Sequence, residues 1–317
     1  MRHKTWTTLR DGSLLATLAV AVVGLVALVS SGSPSPRMSP APKPTAVARG
    51  SMPPVTFTIK QSETRNASRL MAAFDRIGYD LNAVAAGYIS VPRVLLASLP
   101  PDIDDIDGLD ERKALFLRTL LPVVLNVNDR IGADRAHLLK VRETVASGAA
   151  LSPEDVQWVM SLADAYDQPD ADLDALAKKV DVIPPSLALA QAIEESGWGT
   201  SRIAREQNAL FGQFGEDESG QYSYRNFSSL NEAVDSYARN LNTHRAYREF
   251  RQARARMRSK SGEIDGPQLA STLHRYSERG GDYVDTLRSI MNANGLEAFD
   301  GARLNVRAVA TIVASNN

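Results

Sequence analysis

The sequence predicts a mainly α protein that carries one small β element. Apolar residues recur at helical spacing between residues 112 and 127. Residues 152–155, Ser-Pro-Glu-Asp, have the composition of a helix start, with proline in the first turn and acids beside it. One segment, 221–227, is identified as a strand by its alternation of apolar and polar residues. We therefore predict that the β structure is no larger than a short hairpin.

The amino-terminal residues predict an export or anchoring segment. His3, Lys4 and Arg10 precede an uncharged apolar run at residues 14–29. This run is longer than most signal-peptide cores and slightly shorter than a typical membrane-spanning helix. Its basic flank is expected to stay in the cytoplasm. The segment is either an uncleaved anchor or a signal peptide cut near residues 29–31, and the lack of a clear Ala-x-Ala site favours the anchor.

Either outcome places the rest of the chain outside the cytoplasmic membrane. Residues 1–31 form the predicted signal or anchor segment, and residues 32–58 form a linker rich in proline and serine. A helical region is expected at 59–180, a second domain at 181–300 and a tail at 301–317. The predicted location is the periplasm or the outer face of the cytoplasmic membrane.

Composition excludes several classes of function. The 317 residues are enough for one or two domains with a sizeable core. The 36 basic and 37 acidic residues nearly cancel, so the net charge does not indicate a nucleic-acid partner. The chain has no cysteine, which excludes disulfides and cysteine-based amidase or protease chemistry.

No metal or cofactor is predicted. The four histidines, at positions 3, 137, 244 and 274, form no zinc-binding motif. Residues 102–111 are acidic but lack the glycine and glutamate register of an EF-hand calcium loop, so we expect a solvated turn and helix start there. Residues 245–260 carry seven basic side chains, which favour a solvated helix face; the alternative is a surface that attracts acidic peptides.

The second domain is predicted to be a series of helices. Ser229 and Glu232 have the spacing of a capping box, which opens one of these helices. We expect helices at residues 186–196, 199–206, 229–241, 244–259, 265–276 and 282–294.

Two adjacent carboxylates close the first of these helices. Pro184 and Pro185 suit its first turn, and glycines at 197 and 199 are typical of its end. Glu194 and Glu195 therefore lie in the last turn, just ahead of Trp198. A carboxyl group against apolar and aromatic surface acquires a raised pKa and becomes a general acid. Helix periodicity alone does not choose between the two glutamates.

Several ordered motifs resemble those of a known family. Residues 191–199, Gln-Ala-Ile-Glu-Glu-Ser-Gly-Trp-Gly, resemble the catalytic-helix signature of glycoside hydrolase family seventy-three, the bacterial cell-wall N-acetylglucosaminidases. Residues 208–213, Asn-Ala-Leu-Phe-Gly-Gln, are similar to the element that follows it in that family. Residues 240–248 and 275–280 narrow the resemblance to the Bax-like bacterial branch. The resemblance covers about residues 90–298.

The resemblance implies a fold and an activity. Residues 181–300 would form a lysozyme-like glucosaminidase core with a small β lobe. The activity would be an endo-β-N-acetylglucosaminidase that cleaves peptidoglycan at the β-1,4 bond on the reducing side of N-acetylglucosamine. The family's catalytic glutamate directly precedes Ser-Gly-Trp-Gly, which makes Glu195 the expected general acid. No cofactor is implied.

The second carboxylate of the reaction is not assigned by the resemblance. Glycosidases usually use two carboxyl groups, and in related glucosaminidases the second lies on the β lobe. The acids available there are Glu216, Asp217 and Glu218, of which Glu216 and Glu218 are the candidates. Assistance by the N-acetyl group of the substrate, or by a carboxylate on a mobile lobe, stays open.

The resemblance also suggests residues that contact the substrate or support the acid. Tyr237 and Tyr276 match tyrosines that line the family's groove, and we expect Tyr276 to act on substrate or transition state. Trp198 is expected to buttress Glu195, and Asn208 to cap a turn. Phe211 reads as core or groove floor. The predicted substrate-binding set is Gln191, Trp198, Asn208, Phe211 and Tyr237.

Two other functions are compatible with the same sequence. One is an amidase acting on wall peptides, and the other is a wall-binding module that has lost catalysis. The expected partners are peptidoglycan glycan strands, together with the membrane through the amino-terminal segment.

Overall fold

The computed structural model describes residues 55–216 and 220–313, most of which are helical. The elements up to residue 180 are β1 (Val55–Lys60), α1 (Gln61–Thr64), α2 (Ala67–Arg76), α3 (Leu81–Ala85), β2 (Val91–Arg93), α4 (Leu109–Ala146), α5 (Pro153–Ala165) and α6 (Leu173–Lys179). Those that follow are α7 (Pro185–Ser196), α8 (Arg202–Gln207), β3 (Phe214–Glu216), β4 (Tyr222–Tyr224), α9 (Leu230–Thr243), α10 (Arg248–Ser261), α11 (Gly266–Ala270), α12 (Gly281–Ala293) and β5 (Leu304–Val313).

Two helix starts follow the caps that the sequence predicts. The Ser152 side chain accepts a hydrogen bond from the Asp155 backbone N–H and opens α5 with Pro153 in the first turn. The Ser229 side chain accepts from the Glu232 N–H and opens α9. The second hydrogen bond of the predicted capping box, from the Ser229 backbone N–H to the Glu232 carboxylate, does not form. The Glu232 carboxylate accepts from the backbone N–H of Ser228 instead.

The 38-residue helix α4 is the centre of the core. Its buried residues include Leu115, Phe116, Leu120, Leu121 and Val124, the apolar stripe seen in the sequence. It contacts α2, β2 and α6 from its own half of the chain and α7 and α9 from the other half. The described residues therefore share one hydrophobic core, and the boundary predicted at 180/181 does not separate two packing units.

A three-stranded parallel sheet, absent from the sequence prediction, joins the two ends of the described chain. Strand β5 lies between β1 and β2 and pairs with β1 from Val55↔Ala308 to Lys60↔Val313. Ile59, Val91 and Leu304 are buried where the sheet meets the core. Residues 55–58 are therefore strand instead of linker, and the tail predicted at 301–317 is strand from Leu304 to Val313. The region 59–180 is likewise not purely helical.

The predicted hairpin is confirmed in a shorter form. Strands β3 and β4 are antiparallel, and Phe214 pairs with Tyr224 while Glu216 pairs with Tyr222. Strand β4 covers Tyr222–Tyr224 rather than all of 221–227.

The helix predicted at 265–276 ends early. Beyond α11 the backbone N–H groups of Thr272 and Leu273 reach back three residues, to the carbonyls of Leu269 and Ala270, and the Thr272 hydroxyl also donates to Leu269. These tight turns replace the helical ladder. Tyr276 therefore lies in a connecting segment between α11 and α12.

The membrane prediction falls on the part of the chain that is not described. Residues 14–29 and the whole predicted segment 1–31 lie outside the described residues. Within 55–216 and 220–313, no helix combines the length and the apolar character needed to cross a bilayer.

Candidate active site

Helix α7 is buried on every side except at its last turn. Ten of its twelve residues are buried, and the two that are partly exposed are Glu194 and Glu195. The Asp300 carboxylate holds the start of the helix, accepting from the Ser186 N–H at 2.7 Å and the Ser186 hydroxyl at 2.8 Å. Gly197 ends it in the left-handed conformation at φ 58°. The helix therefore carries its two carboxylates to one fixed place.

Trp198, in the turn after Glu195, packs against helix α4. The indole meets the Phe116 ring edge-on, with 5.8 Å between centroids, and the Lys113 ammonium lies 5.1 Å from the indole. The Ser196 hydroxyl closes the same turn by accepting from the Gly199 N–H at 2.9 Å. This packing supports the end of the helix that carries Glu195.

The Glu195 carboxyl lies against the backbone of Gly212. A Cβ at Gly212 would come within 2.6 Å of Glu195 Oε2, so this position leaves room for the carboxyl only as glycine. Burial raises the pKa of Glu195 to about 7, and the negative charge of Glu194 adds to the rise. The Tyr283 hydroxyl and the charge of Arg279 act in the opposite direction. The balance leaves a carboxyl that is about half protonated near pH 7.

Glu194 has a different environment. Its Oε1 accepts from Arg279 Nη1 at 2.5 Å, and Arg279 Nη2 also donates to the Thr286 hydroxyl at 2.7 Å. The ion pair lies at the rim, where half of the Arg279 side chain is exposed. Glu194 is therefore an ion-paired carboxylate at the rim of the site, whereas its neighbour Glu195 is a largely buried carboxyl with a raised pKa.

Four tyrosines gather beside Glu195. Tyr276 stacks on Tyr283 with 5.6 Å between ring centroids, and Tyr247 lies 5.8 Å from Tyr276. The Tyr276 hydroxyl donates to the Phe211 carbonyl at 3.0 Å, while the Phe211 ring stacks on Tyr237 at 4.0 Å. Burial raises the pKa of every one of these phenols, to about 12 for Tyr247. All four are neutral hydroxyl groups at physiological pH.

Gln191 joins two of these tyrosines beneath the acid. The Tyr237 hydroxyl donates to Gln191 Oε1 at 2.7 Å, and Gln191 Nε2 donates to the Tyr283 oxygen at 3.0 Å. Gln191 and Tyr237 are fully buried and Phe211 is nearly so. Three of the predicted substrate-binding side chains are therefore buried in the structure.

Asn208 occupies the turn position that was expected. It ends α8 in the left-handed conformation at φ 53°, and its Nδ2 donates to the Phe227 carbonyl at 3.0 Å. This bond joins the chain just before the hairpin of β3 and β4 to the chain just after it. Asn208 is buried, so its observed role is to hold the loop that carries Gly212.

The structure describes one of the two candidates for the second carboxylate. Glu216 is the last residue of β3 and pairs with Tyr222 through the backbone. Glu218 lies outside the described residues. Among the described residues, no group of three or more His, Asp or Glu side chains is placed to hold a metal ion.

Sequence reasoning missed four residues of this site, namely Tyr247, Gly212, Arg279 and Tyr283. The first three lie inside the motifs that carry the family resemblance, so a closer reading of those motifs would have included them. Tyr283 lies outside every motif. Its only sequence signal is a tyrosine in the buried stripe of α12 with Val284, Leu287 and Met291.

Comparison with known proteins gives three similarities. The family described as mannosyl-glycoprotein endo-beta-N-acetylglucosaminidase matches residues 171–296. Protein bax of Escherichia coli (strain K12) is 32% identical over 208 residues, which cover 61% of this chain and 74% of that protein. The crystal structure of the catalytic domain of the autolysin Auto from Listeria monocytogenes aligns with a TM-score of 0.29 and 17% identity, covering 50% of this chain and 96% of that chain. The family match includes the whole site from Gln191 to Tyr283.

Proposed function

The chain belongs to the Bax-like branch of the glucosaminidase family and is a glycoside hydrolase, and we propose that its substrate is bacterial peptidoglycan. The bond cleaved is the β-1,4 bond on the reducing side of N-acetylglucosamine, and Glu195 is the general acid. The observation that carries the proposal is the environment of Glu195. Its carboxyl lies against Gly212, and burial raises its pKa to about 7.

The chemistry follows from that protonation state. The Glu195 carboxyl gives its proton to the glycosidic oxygen as the bond from that oxygen to the anomeric carbon breaks. Water then supplies a hydroxyl to the anomeric carbon and a proton to the enzyme, which creates a reducing N-acetylglucosamine end. A carboxyl with an ordinary pKa would be ionised near pH 7 and could not donate this proton.

A second carboxylate would assist the attack on the anomeric carbon. We propose Glu216 or Glu218 because both follow Gly212 within six residues in the sequence. The variants Glu216→Gln and Glu218→Gln test the two positions separately. A loss of turnover in one variant that matches the loss in Glu195→Gln identifies the second group. Full turnover in both points to assistance by the substrate's own N-acetyl group.

The test of the main proposal is digestion of purified peptidoglycan by the full-length protein and by its Glu195→Gln variant. Mass spectrometry of the wild-type products should show muropeptides with N-acetylglucosamine at the reducing end. The variant should be slower by about 100- to 10,000-fold, the usual contribution of a general acid. A matched Glu194→Gln variant, altered one residue away at the rim, should keep most of the activity.

The same digestion separates the alternative functions. New free amino groups without new reducing ends would identify an amidase. Binding to peptidoglycan by both proteins, without cleavage by either, would identify a module that has lost catalysis.

The proposed substrate requires a location outside the cytoplasmic membrane. We propose that residues 14–29 anchor or export the chain, so that the catalytic part faces the wall. Protease added to intact spheroplasts should digest the part that follows residue 32. Protection of the whole chain until the membrane is opened would contradict this location.

A further inference from the structure

The hairpin of β3 and β4 carries three aromatic side chains on one face. Backbone pairing sets Phe214 opposite Tyr224, and Tyr222 lies two residues before Tyr224 in the same strand. Side chains of directly opposite residues, and of residues two apart in a strand, project on the same side of a sheet. Phe214, Tyr222 and Tyr224 therefore share one face. The Phe214 and Tyr224 rings are in contact there, with 4.0 Å between their centroids.

The opposite face of the hairpin is covered by a side chain that contacts α9. This face carries Gly215 and Ser223, which pair with each other. A Cβ at Gly215 would lie 3.1 Å from the Cγ of Arg225, so the aliphatic stem of Arg225 lies against this face. Arg225 Nη1 donates to Ser236 Oγ at 3.0 Å, and Ser236 belongs to α9. The Gly215 face therefore points toward α9, and the aromatic face points away from it.

The aromatic face is exposed to solvent. Tyr222 is 69% exposed and Phe214 is 38% exposed. Among the described residues the remaining exposed aromatic side chain is that of Tyr88, which lies between α3 and β2. Exposed aromatic rings that share one face are typical of a binding surface, because a ligand that covers them removes apolar area from water.

The hairpin begins beside the candidate active site. Gly212, whose backbone lies against the Glu195 carboxyl, precedes Phe214 by two residues. Two residues of extended chain span at most about 7 Å. A polymeric glycan is longer than this separation, so one strand can occupy the site at Glu195 and the aromatic face together.

We propose that Phe214, Tyr222 and Tyr224 form a subsite that binds sugar rings of the glycan strand by stacking. The C–H groups on one side of a pyranose ring form an apolar face, and its hydroxyl groups project around the edge. An aromatic ring covers the apolar face and leaves the hydroxyl groups in water. The subsite holds the strand beside Glu195 and takes no part in bond cleavage. The inference rests on the proposed function, and it adds the side chains that recognise the glycan.

Hydrogen bonds at its base hold the hairpin in place. The Arg225 N–H donates to the Gln213 carbonyl at 2.9 Å, and the Phe227 N–H donates to the Gln207 carbonyl at 2.9 Å. The Asn208 side chain joins the same segments through its bond to the Phe227 carbonyl. A glycan therefore binds rings that are already in position, which avoids part of the entropy cost of ordering a loop.

The first test removes the most exposed ring of the face from the full-length protein. Tyr222→Ala should raise KM for long, soluble glycan strands about 10-fold, which corresponds to about 1.4 kcal/mol of binding. Its kcat should change little, because a ring away from the reacting bond contacts ground state and transition state equally. Tyr222→Phe should keep the wild-type KM, since stacking needs the ring and not the hydroxyl. The matched control is Tyr88→Ala, which removes an exposed tyrosine outside the hairpin and should leave KM unchanged.

The form of the substrate decides which chemical group the face binds. Strands that keep their stem peptides, and strands from which an amidase has removed them, should show the same rise of KM in Tyr222→Ala. A rise confined to the peptide-bearing strands would assign the face to the peptide and overturn the proposal. Self-association of the wild type that Tyr222→Ala abolishes in analytical ultracentrifugation, with an unchanged KM, would assign the face to a second copy of the chain and would also overturn it.

Binding measured without catalysis keeps the failure of this inference apart from the failure of the proposed function. Calorimetry of Glu195→Gln with peptide-free strands should show binding that Tyr222→Ala weakens about 10-fold. Such a loss, found with a wild type that does not hydrolyse peptidoglycan, would remove the proposed function and support the subsite. Hydrolysis with KM and binding unchanged in Tyr222→Ala would leave the function intact and remove the inference. Thermal unfolding of each variant verifies that the compared proteins are folded.

Discussion

Two withdrawn carboxylates lie near opposite ends of helix α7, and their neighbours give them opposite properties. Asp181, four residues before the helix, is 2% exposed and lies within 4.0 Å of Arg135, Arg254 and Arg258. Burial acts to raise its pKa, but the three guanidinium groups outweigh burial and hold the pKa below its ordinary value. Glu195 has phenols instead of guanidinium groups beside it, and burial raises its pKa to about 7.

The contrast shows that burial alone does not make a catalytic acid. Asp181 is more deeply buried than Glu195, yet it stays ionised because fixed cations surround it. Neutral hydroxyl groups stabilise a carboxylate far less than cations do, so a carboxyl among tyrosines keeps its proton to higher pH. Ion pairs of Asp181 stabilise the core near the start of α7. Glu195, in the last turn of the helix, can exchange a proton near neutral pH.

Removal of the structural carboxylate should have the largest effect. Asp181→Ala leaves the guanidinium groups of Arg135, Arg254 and Arg258 without their shared anion, and Arg254 is fully buried. Loss of one partner from a buried ion pair costs about 3–5 kcal/mol. We expect a fall of that size in the free energy of unfolding, measured by urea denaturation. The control is Glu206→Gln, which breaks an exposed pair with Arg202 and should cost about 0–1 kcal/mol.

Crowding the Glu195 carboxyl should have the second largest effect, and we expect that effect on activity instead of stability. In Gly212→Ala the new methyl group would lie within 2.6 Å of Glu195 Oε2 and must displace the carboxyl. A displacement of about 1 Å in a catalytic group can lower turnover about 100-fold. We expect that loss in kcat, measured on peptidoglycan fragments.

The strain of the substitution needs its own control. Gly212 has φ 61°, a conformation that alanine adopts only at a cost of about 1–2 kcal/mol. Gly262, at the end of α10, has φ 75° and open space where its Cβ would be. Gly262→Ala should lose comparable stability and keep its activity. Equal losses of activity in both variants would show that strain, and not the contact with Glu195, is responsible.

The sequence predicted the local features around these two carboxylates. The bounds of α7, the cap at Ser152 and the small hairpin all depend on residues close together in the chain, and the structure confirms them. The choice of Glu195 over Glu194 came from the family resemblance. The structure adds a physical reason, since Glu194 is paired with Arg279 at the rim while Glu195 lies beneath Gly212.

Features that depend on distant segments were missed or misread. Strands β1 and β5 pair residues separated by most of the chain. Strand β1, Val-Thr-Phe-Thr-Ile-Lys, does alternate apolar and polar residues, but the segment adjoins the proline-rich run and was assigned to the linker. The basic run at 245–260 predicted a solvated face, yet Arg251 and Arg254 are buried and donate to backbone carbonyls of other segments. Tyr283 was missed because its partner Gln191 lies 92 residues earlier.

Neutralisation of Glu195, the proposed acid, should stabilise the fold, with an effect smaller than the first two. The pKa of Glu195 is about 7 in the folded protein against an ordinary 4.5, so its stabilising protonation is complete below that ordinary value and is lost as the pH rises through about 7. Glutamine does not titrate. Glu195→Gln should therefore be more stable than the wild type by about 1–2 kcal/mol above pH 7.

Thermal unfolding across the pH range measures this difference. A gain of 1 kcal/mol corresponds to about 2–4 °C in Tm for a protein of this size. The Tm difference between Glu195→Gln and the wild type should vanish toward about pH 4 and grow between about pH 5 and pH 8. A constant difference at every pH would mean that Glu195 does not titrate as a withdrawn carboxyl.

The smallest expected effect comes from the rim charges. Glu194→Gln removes an anion that raises the pKa of Glu195, and Arg279→Gln removes a cation that lowers it. The general acid must be protonated, so the basic limb of the activity profile should move down in Glu194→Gln and up in Arg279→Gln. Both side chains are partly exposed, so solvent screens them and we expect shifts of a few tenths of a pH unit.

Salt tests whether these shifts come from charges at the rim. The Debye length shortens from about 10 Å at 0.1 M salt to about 3 Å at 1 M, so the shifts in Glu194→Gln and Arg279→Gln should shrink as salt is added. Burial of Glu195 does not depend on salt, so the raised midpoint of the wild type should persist. The measurement is the activity profile of the wild type and the two variants at low and high salt. A wild-type midpoint that fell to an ordinary carboxyl value at high salt would show that surface charge sets the pKa of Glu195, and its contrast with Asp181 would reduce to a difference in exposure.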